Sequence, residues 1–165
     1  MNKIGIAVPN LGAGHMTYCL IRNVNLWMHE RFDTDITLFY ETLALPCLPP
    51  NCAVMQIHEG FSYDGPMIAT SLSTADKLAR WPGPSRRLFY TWDMEWLRMP
   101  QKSFEQLRGI YANPDLELVA RGQDHARLLE DVWNVKVRAV VEDFDLNELL
   151  KVINVHRTDA GISAS

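Results

Sequence analysis

The residues of this chain best suited to chemistry fall in short stretches that each follow an apolar run. The first is Gly12-Ala13-Gly14-His15, closing the run Ile4-Gly5-Ile6-Ala7-Val8. Glycine lacks a Cβ, so Gly12 and Gly14 permit a tight turn and a close approach of backbone to ligand. His15 is the only side chain of that turn that titrates near neutral pH, and it stands where a helix should begin. It is either a helix-start residue or a general base. No third glycine completes a dinucleotide fingerprint, and no Gly-Lys-Ser/Thr closes a phosphate loop.

The densest aromatic and acidic stretch is Tyr90-Thr91-Trp92-Asp93-Met94-Glu95-Trp96. Aromatic faces beside carboxylates suit a carbohydrate, because carboxylates accept hydroxyl protons while rings cover the C–H faces. The competing reading plugs the core with Trp92 and Trp96 and leaves Asp93 and Glu95 in water. His58-Glu59-Gly60 ends another strand and brings Glu59 to a strand-end loop, where such folds place site residues. Neighbours on a strand point apart, which argues against His58 and Glu59 sharing a metal. In Arg121-Gly122-Gln123-Asp124-His125, Gly122 and Gln123 open a helix whose N–H groups suit a phosphate, with Arg121 adding charge. Asp124 suits a helix N-terminus, and His125 is assigned to the surface.

Alternating strands and helices must position these groups. Strands are expected at 3–8, 35–40, 53–57, 67–70, 87–92, 116–120 and 137–141. Helices are expected from Met16 to near Phe32, from a cap at Ser73 to Trp81, from Ser103 to Tyr111, from Gln123 to Trp133 and from Leu146 to Ile153. The helix from Gln123 should turn Ala126, Leu129, Val132 and Trp133 inward. This order predicts an α/β fold with a mostly parallel sheet of six or seven strands and helices on both faces. A parallel sheet brings the strand ends, and with them the Gly12–His15 turn, Glu59, Trp92–Glu95 and Arg121–Gln123, to one edge. One domain over 1–155 is expected, followed by a mobile tail at 156–165.

The two ends of the pattern are motif-like. Leu118-Val119-Ala120-Arg121 precedes a helix, then Val135-Lys136-Val137-Arg138-Ala139-Val140-Val141 and Glu142-Asp143-Phe144-Asp145. This resembles the close of the amino-terminal domain of GT-B glycosyltransferases, where a valine-rich strand leads into an Asn-Gly-Val-Asp-like turn. Asp145 matches the aspartate of that turn, and Arg121 stands where the family often has serine. Gly14-His15 resembles the Gly-His of several GT-B families, whose histidine can act as catalytic base. The resemblance implies a three-layer Rossmann-like domain and an acceptor-binding half, with His15 deprotonating an acceptor hydroxyl and Asp93 or Glu95 orienting it. It also implies a nucleotide-sugar donor. On this resemblance the donor domain is expected to lie outside these 165 residues. A second subunit supplying it, or a homo-oligomer, is the partner this reading expects. On this reading the isolated chain transfers no sugar. The alternative is a non-catalytic nucleotide, sugar or protein binding module of the same fold.

Composition agrees with an ordinary globular chain, 47% hydrophobic and 22% charged, with a formal charge of -4. That charge argues against a non-specific grip on nucleic acid. Arg80, Arg86, Arg87, Arg98, Lys102 and Arg108 are read as scattered surface charges. Cys19 reads as a small core residue. Cys47 and Cys52 flank Leu48-Pro49-Pro50-Asn51, compatible with a disulfide or with two reduced thiols. Neither metal nor cofactor is expected. With no apolar run near a membrane-span length of about 20 residues and no signal-like segment, a cytoplasmic location is expected.

Overall fold

In the computed structural model, which describes residues 2–31 and 33–159, the first strand shows how the layers arise. Along β1 (Asn2–Val8), Ile4, Ile6 and Val8 enter one core while Ala7 enters the other. This is the period-two alternation of a strand buried on both faces. It pairs with β2 (Thr34–Tyr40) and β4 (Pro66–Ala69), followed outward by β3 (Ala53–Gln56) on one side. On the other side lie β5 (Arg86–Thr91), β6 (Glu117–Ala120) and β7 (Ala139–Val140). The order is β3-β2-β1-β4-β5-β6-β7, and every pairing is parallel. The fold is the three-layer, Rossmann-like α/β arrangement that the alternation of elements predicts.

Helices α1 (His15–Glu30) and α5 (Leu146–Asp159) cover the face of Ile4 and Ile6. Helices α2 (Leu72–Arg80), α3 (Phe104–Tyr111) and α4 (Gln123–Trp133) cover the other face. The direction of strand addition reverses between β1 and β4. Right-handed crossovers then place α1 and α2 on opposite faces.

Local chemistry sets several boundaries. Ser71, rather than Ser73, caps α2: its Oγ accepts from Thr74 N at 3.2 Å, and Thr74 Oγ1 accepts from Ser71 N at 3.0 Å. The reciprocal bonds of this capping box satisfy two backbone donors and start the helix earlier than expected. Ser103 caps α3 as anticipated. Val132 is 37% exposed, whereas Ala126, Leu129 and Trp133 are buried as α4's periodicity requires. The last helix continues past Ile153 to Asp159, so the expected tail 156–165 starts within it, and 160–165 lie outside the described residues.

The glycine turn departs from its expected rationale. No described glycine has a positive φ. Gly12 sits in a tight space: an added Cβ would lie 3.0 Å from Asn10 Oδ1 and 3.3 Å from the Ala44 Cβ, so those side chains would have to shift. Gly14, the N-cap of α1, is extended and has room for a side chain. The left-handed positions belong to Asn134 (φ 51), Asp143 (φ 44) and Phe144 (φ 59).

Arg80, Arg98 and Arg108 are scattered and exposed as expected, whereas Arg86 and Arg87 are partly buried. Arg86, with a side chain 13% exposed, makes a bidentate pair with Glu117 and donates to Val152 O at 2.7 Å. Arg87 donates to Trp81 O, and Arg80 pairs with Asp76. Cys19 is buried, and Cys47 and Cys52 are free thiols packed against the core. Burial, then the Asp35 charge, push the Cys52 thiol up to about 11.

Candidate functional site

The parallel sheet brings the turn after β1 and the segment after β5 to one edge, where the rings of His15 and Trp92 meet edge-on at 5.2 Å. Trp92 is also covered by the Arg121 guanidinium, 4.1 Å from its ring centroid. Arg121 Nη2 stands 3.8 Å from Asp143 Oδ1. These contacts join the ends of β1, β5, β6 and β7 through a single tryptophan.

Beside them opens a cleft of about 550 Å³, within the size range of small-molecule sites. From the β5 end it receives Trp92, Asp93 and Met94. From the start of α4 come Gly122, Asp124, His125 and Leu128. Arg121, Glu142 and Asp143 complete it. Of the residues singled out from sequence, the cleft gathers Trp92, Asp93, Arg121 and Gly122. His15, Gln123, Gly12, Gly14, Glu95 and Glu59 are not among its lining. Glu59 lies in a 3-10 turn (Ile57–Ser62) by the outermost strand, with its own shallow depression bounded by Tyr40 and Met55. There His58 Nε2 and Glu59 Oε1 are 3.1 Å apart, because the 3-10 turn brings together side chains that a strand would separate.

The expected partners of His15 are engaged elsewhere. Asp93 pairs with Arg98. Glu95 Oε2 accepts from Leu72 N at 2.8 Å, placing a carboxylate at the N-terminus of α2. The acid beside His15 is instead Asp143, with Cys19 the third member of the group.

Asp143 owes its position to a constrained turn. Asp143 and Phe144 are consecutive left-handed residues, a conformation that costs a bulky side chain energy unless its surroundings enforce it. Here Asn23 Nδ2 donates to Asp143 O at 2.8 Å and to Phe144 O at 3.1 Å. The buried Tyr90 hydroxyl donates to Val141 O at 2.7 Å and accepts from Phe144 N at 3.1 Å. Phe144 then packs edge-on against the Tyr90 ring at 4.8 Å. Burial holds the Tyr90 phenol protonated, pushed up to about 12. Asp145 Oδ1 accepts from Asn147 N at 2.8 Å and starts α5.

His125 is the main lining residue that sequence reasoning misplaced. It lies parallel to Trp96 at 6.5 Å, and Nε2 is buried without a hydrogen-bond partner among the described residues. Burial lowers its pKa, opposed by Asp93 and helped by Arg121. A polar position in the first turn of a helix ordinarily faces water. The available signal was the nearby tryptophan density, which required knowing that Trp96 lies against α4.

Glu95 provides a pH test. Burial raises its pKa, partly opposed by the Leu72 N–H bond; Asp93 and Glu41 add to the rise and Arg98 opposes it. A carboxyl with a raised folded-state pKa penalises folding once ionised. The penalty is complete above the folded pKa and vanishes below the unfolded value of about 4.3. Glu95→Gln keeps an acceptor for Leu72 N and is expected to be more stable than the parent at neutral pH. Thermal melts should show the advantage shrinking on acidification; a widening gap would mean that the charged form is the stabilised one.

Fold and site together define an α/β protein of the Rossmann-like class with an acidic, aromatic-lined cleft at the carboxyl edge of its sheet. No family model, curated protein or solved structure matches the chain. No described helix is long and apolar enough to cross a membrane.

Proposed function

We propose that this chain is the acceptor-side unit of a glycosyltransferase of the GT-B type, binding a neutral, hydroxyl-rich acceptor in the cleft. The observation that carries this reading is the cleft's charge. Asp93, Asp124, Glu142 and Asp143 line it; Arg121 is the guanidinium within the lining, and Arg98 and Arg127 pair with Asp93 and Asp124 from outside it. Burial keeps His125 from adding positive charge. Such a wall repels a nucleoside diphosphate but accepts hydroxyl protons, while Trp92, Met94 and Leu128 supply apolar surface for C–H faces. The phosphate reading of Gly122 and Gln123 loses its cation, because Arg121 is held on Trp92 and faces Asp143. The turn Glu142–Asp145 supports the family reading independently: its second position, glycine in the GT-B pattern, is the left-handed Asp143. On this proposal the nucleotide-sugar donor is held by a second domain or a partner chain.

The alternative is a non-catalytic sugar-binding module: Asp93 and Glu95 are engaged away from His15, and the one acid beside it, Asp143, is shared with Arg121. Titration calorimetry against neutral oligosaccharides and nucleoside diphosphate sugars separates acceptor-side from donor-side binding. Oligosaccharides should bind, Trp92→Ala should weaken them more than about tenfold, and a diphosphate should give no added affinity. Preferential binding of the nucleotide, or sugar binding indifferent to Trp92→Ala, would overturn the proposal. Transfer assays with nucleotide sugars then divide the two readings. Turnover only when a donor half is added supports the enzyme; binding with no turnover in either case supports the module.

A further inference from the structure

We propose that His15, Cys19 and Asp143 form a binding site for zinc, at the edge of the cleft that Asp143 also lines. One ligand atom from each, a ring nitrogen, a thiol sulfur and a carboxylate oxygen, lies within 4.8 Å of the others. His15 and Cys19 are four residues apart on α1, so the helix projects both from one face. Asp143 comes from 124 residues beyond Cys19, carried in by the left-handed turn that Asn23 and Tyr90 hold. Nitrogen, sulfur and oxygen together suit a borderline ion such as zinc better than calcium or magnesium, which prefer oxygen alone.

Around a tetrahedral zinc, ligand atoms stand roughly 3.3–3.7 Å apart, so the three must close by about 1 Å. Cys19 is buried and stays in place, whereas His15 and Asp143 are exposed and free to adjust. The Trp92 ring edge beside His15 limits its swing. Arg121 is the competing cation; its stacking on Trp92 gives it a resting place when Asp143 turns to the metal. Burial and the Asp143 charge keep the free Cys19 thiol protonated. Binding replaces that S–H bond with an S–Zn bond and releases the proton to solvent. Three protein ligands leave a fourth position open, the arrangement of a reactive rather than a closed structural site. In this role His15 is a ligand and not a base.

Cobalt(II) titration of the full chain, reduced with a phosphine, tests the site. The expected result is one equivalent bound, with a sulfur-to-cobalt charge-transfer band and tetrahedral d–d bands that zinc abolishes. Cys19→Ser should remove the charge-transfer band. Asp143→Ala and His15→Ala should each weaken binding more than about tenfold. A double variant, Cys47→Ser with Cys52→Ser, should keep the full spectrum. Circular dichroism without metal establishes that each variant folds, and the exposed position of Asp143 makes its variant the safest reporter. No charge-transfer band in the parent chain, a band surviving Cys19→Ser, loss of the band in the Cys47/Cys52 variant, or unchanged affinity in Asp143→Ala would each overturn the site. Because no sugar enters the experiment, its failure leaves the cleft reading untouched.

Discussion

Trp133→Ala is expected to lower the unfolding free energy by about 4 kcal/mol, the range for emptying a buried tryptophan site. Trp133 is 2% exposed and joins three rings. It stacks on Tyr111 at 4.8 Å and on Phe104 at 5.1 Å, and meets Trp96 edge-on at 5.6 Å. Aromatic pairs add to the area term, so the cavity forfeits dispersion with every neighbour at once. The consequence reaches the cleft, since Trp96 in turn supports His125. Denaturant unfolding should show a lower midpoint with an unchanged slope, and oligosaccharide affinity should fall as His125 loses its backing. Trp133→Phe keeps a stacked ring and should cost about 2 kcal/mol. If the alanine variant lost less than the phenylalanine one, the cluster would have collapsed around the gap and the packing argument would fail.

Tyr90→Phe should cost about 3 kcal/mol although it deletes one oxygen. The hydroxyl is buried, and its loss strips Val141 O of a donor and Phe144 N of an acceptor. Leaving a buried polar group unsatisfied costs about 1–3 kcal/mol. The same bonds help compel two successive left-handed residues, so the turn should relax and carry Asp143 away from His15 and Cys19. Unfolding and cobalt titration should therefore report the change together. Asn23→Ala removes two bonds to the same turn at a more exposed position and should cost about 1 kcal/mol. A Tyr90→Phe chain with parental stability would show that the turn holds without the phenol.

Much of the architecture was legible in order and periodicity. Alternation in Ile4-Gly5-Ile6-Ala7-Val8 and helical spacing in Leu20, Val24 and Trp27 are local consequences of backbone geometry, so they survive without tertiary knowledge. Ser103 declared a helix start for the same reason. Parallel pairing and right-handed crossover then required the glycine turn and Trp92 to share an edge. Errors within that frame were also local: Ser71 won the cap over Ser73 because Thr74 could return its bond.

The partners within the site were decided by the tertiary structure alone. A shared strand edge offered Asp93 and Glu95 to His15, but each met a nearer electrostatic demand, Arg98 and the α2 N-terminus. The vacancy beside His15 went to Asp143, 128 positions along the chain. Its approach depends on a phenol from β5 and an amide from α1 gripping one strained turn. His125 was drawn inward by Trp96 across a helix–loop contact that no local pattern encodes. Local sequence determines which backbone each segment favours. Which side chains meet depends on burial and charge compensation summed over segments far apart in the chain, and those sums exist only once the sheet has closed.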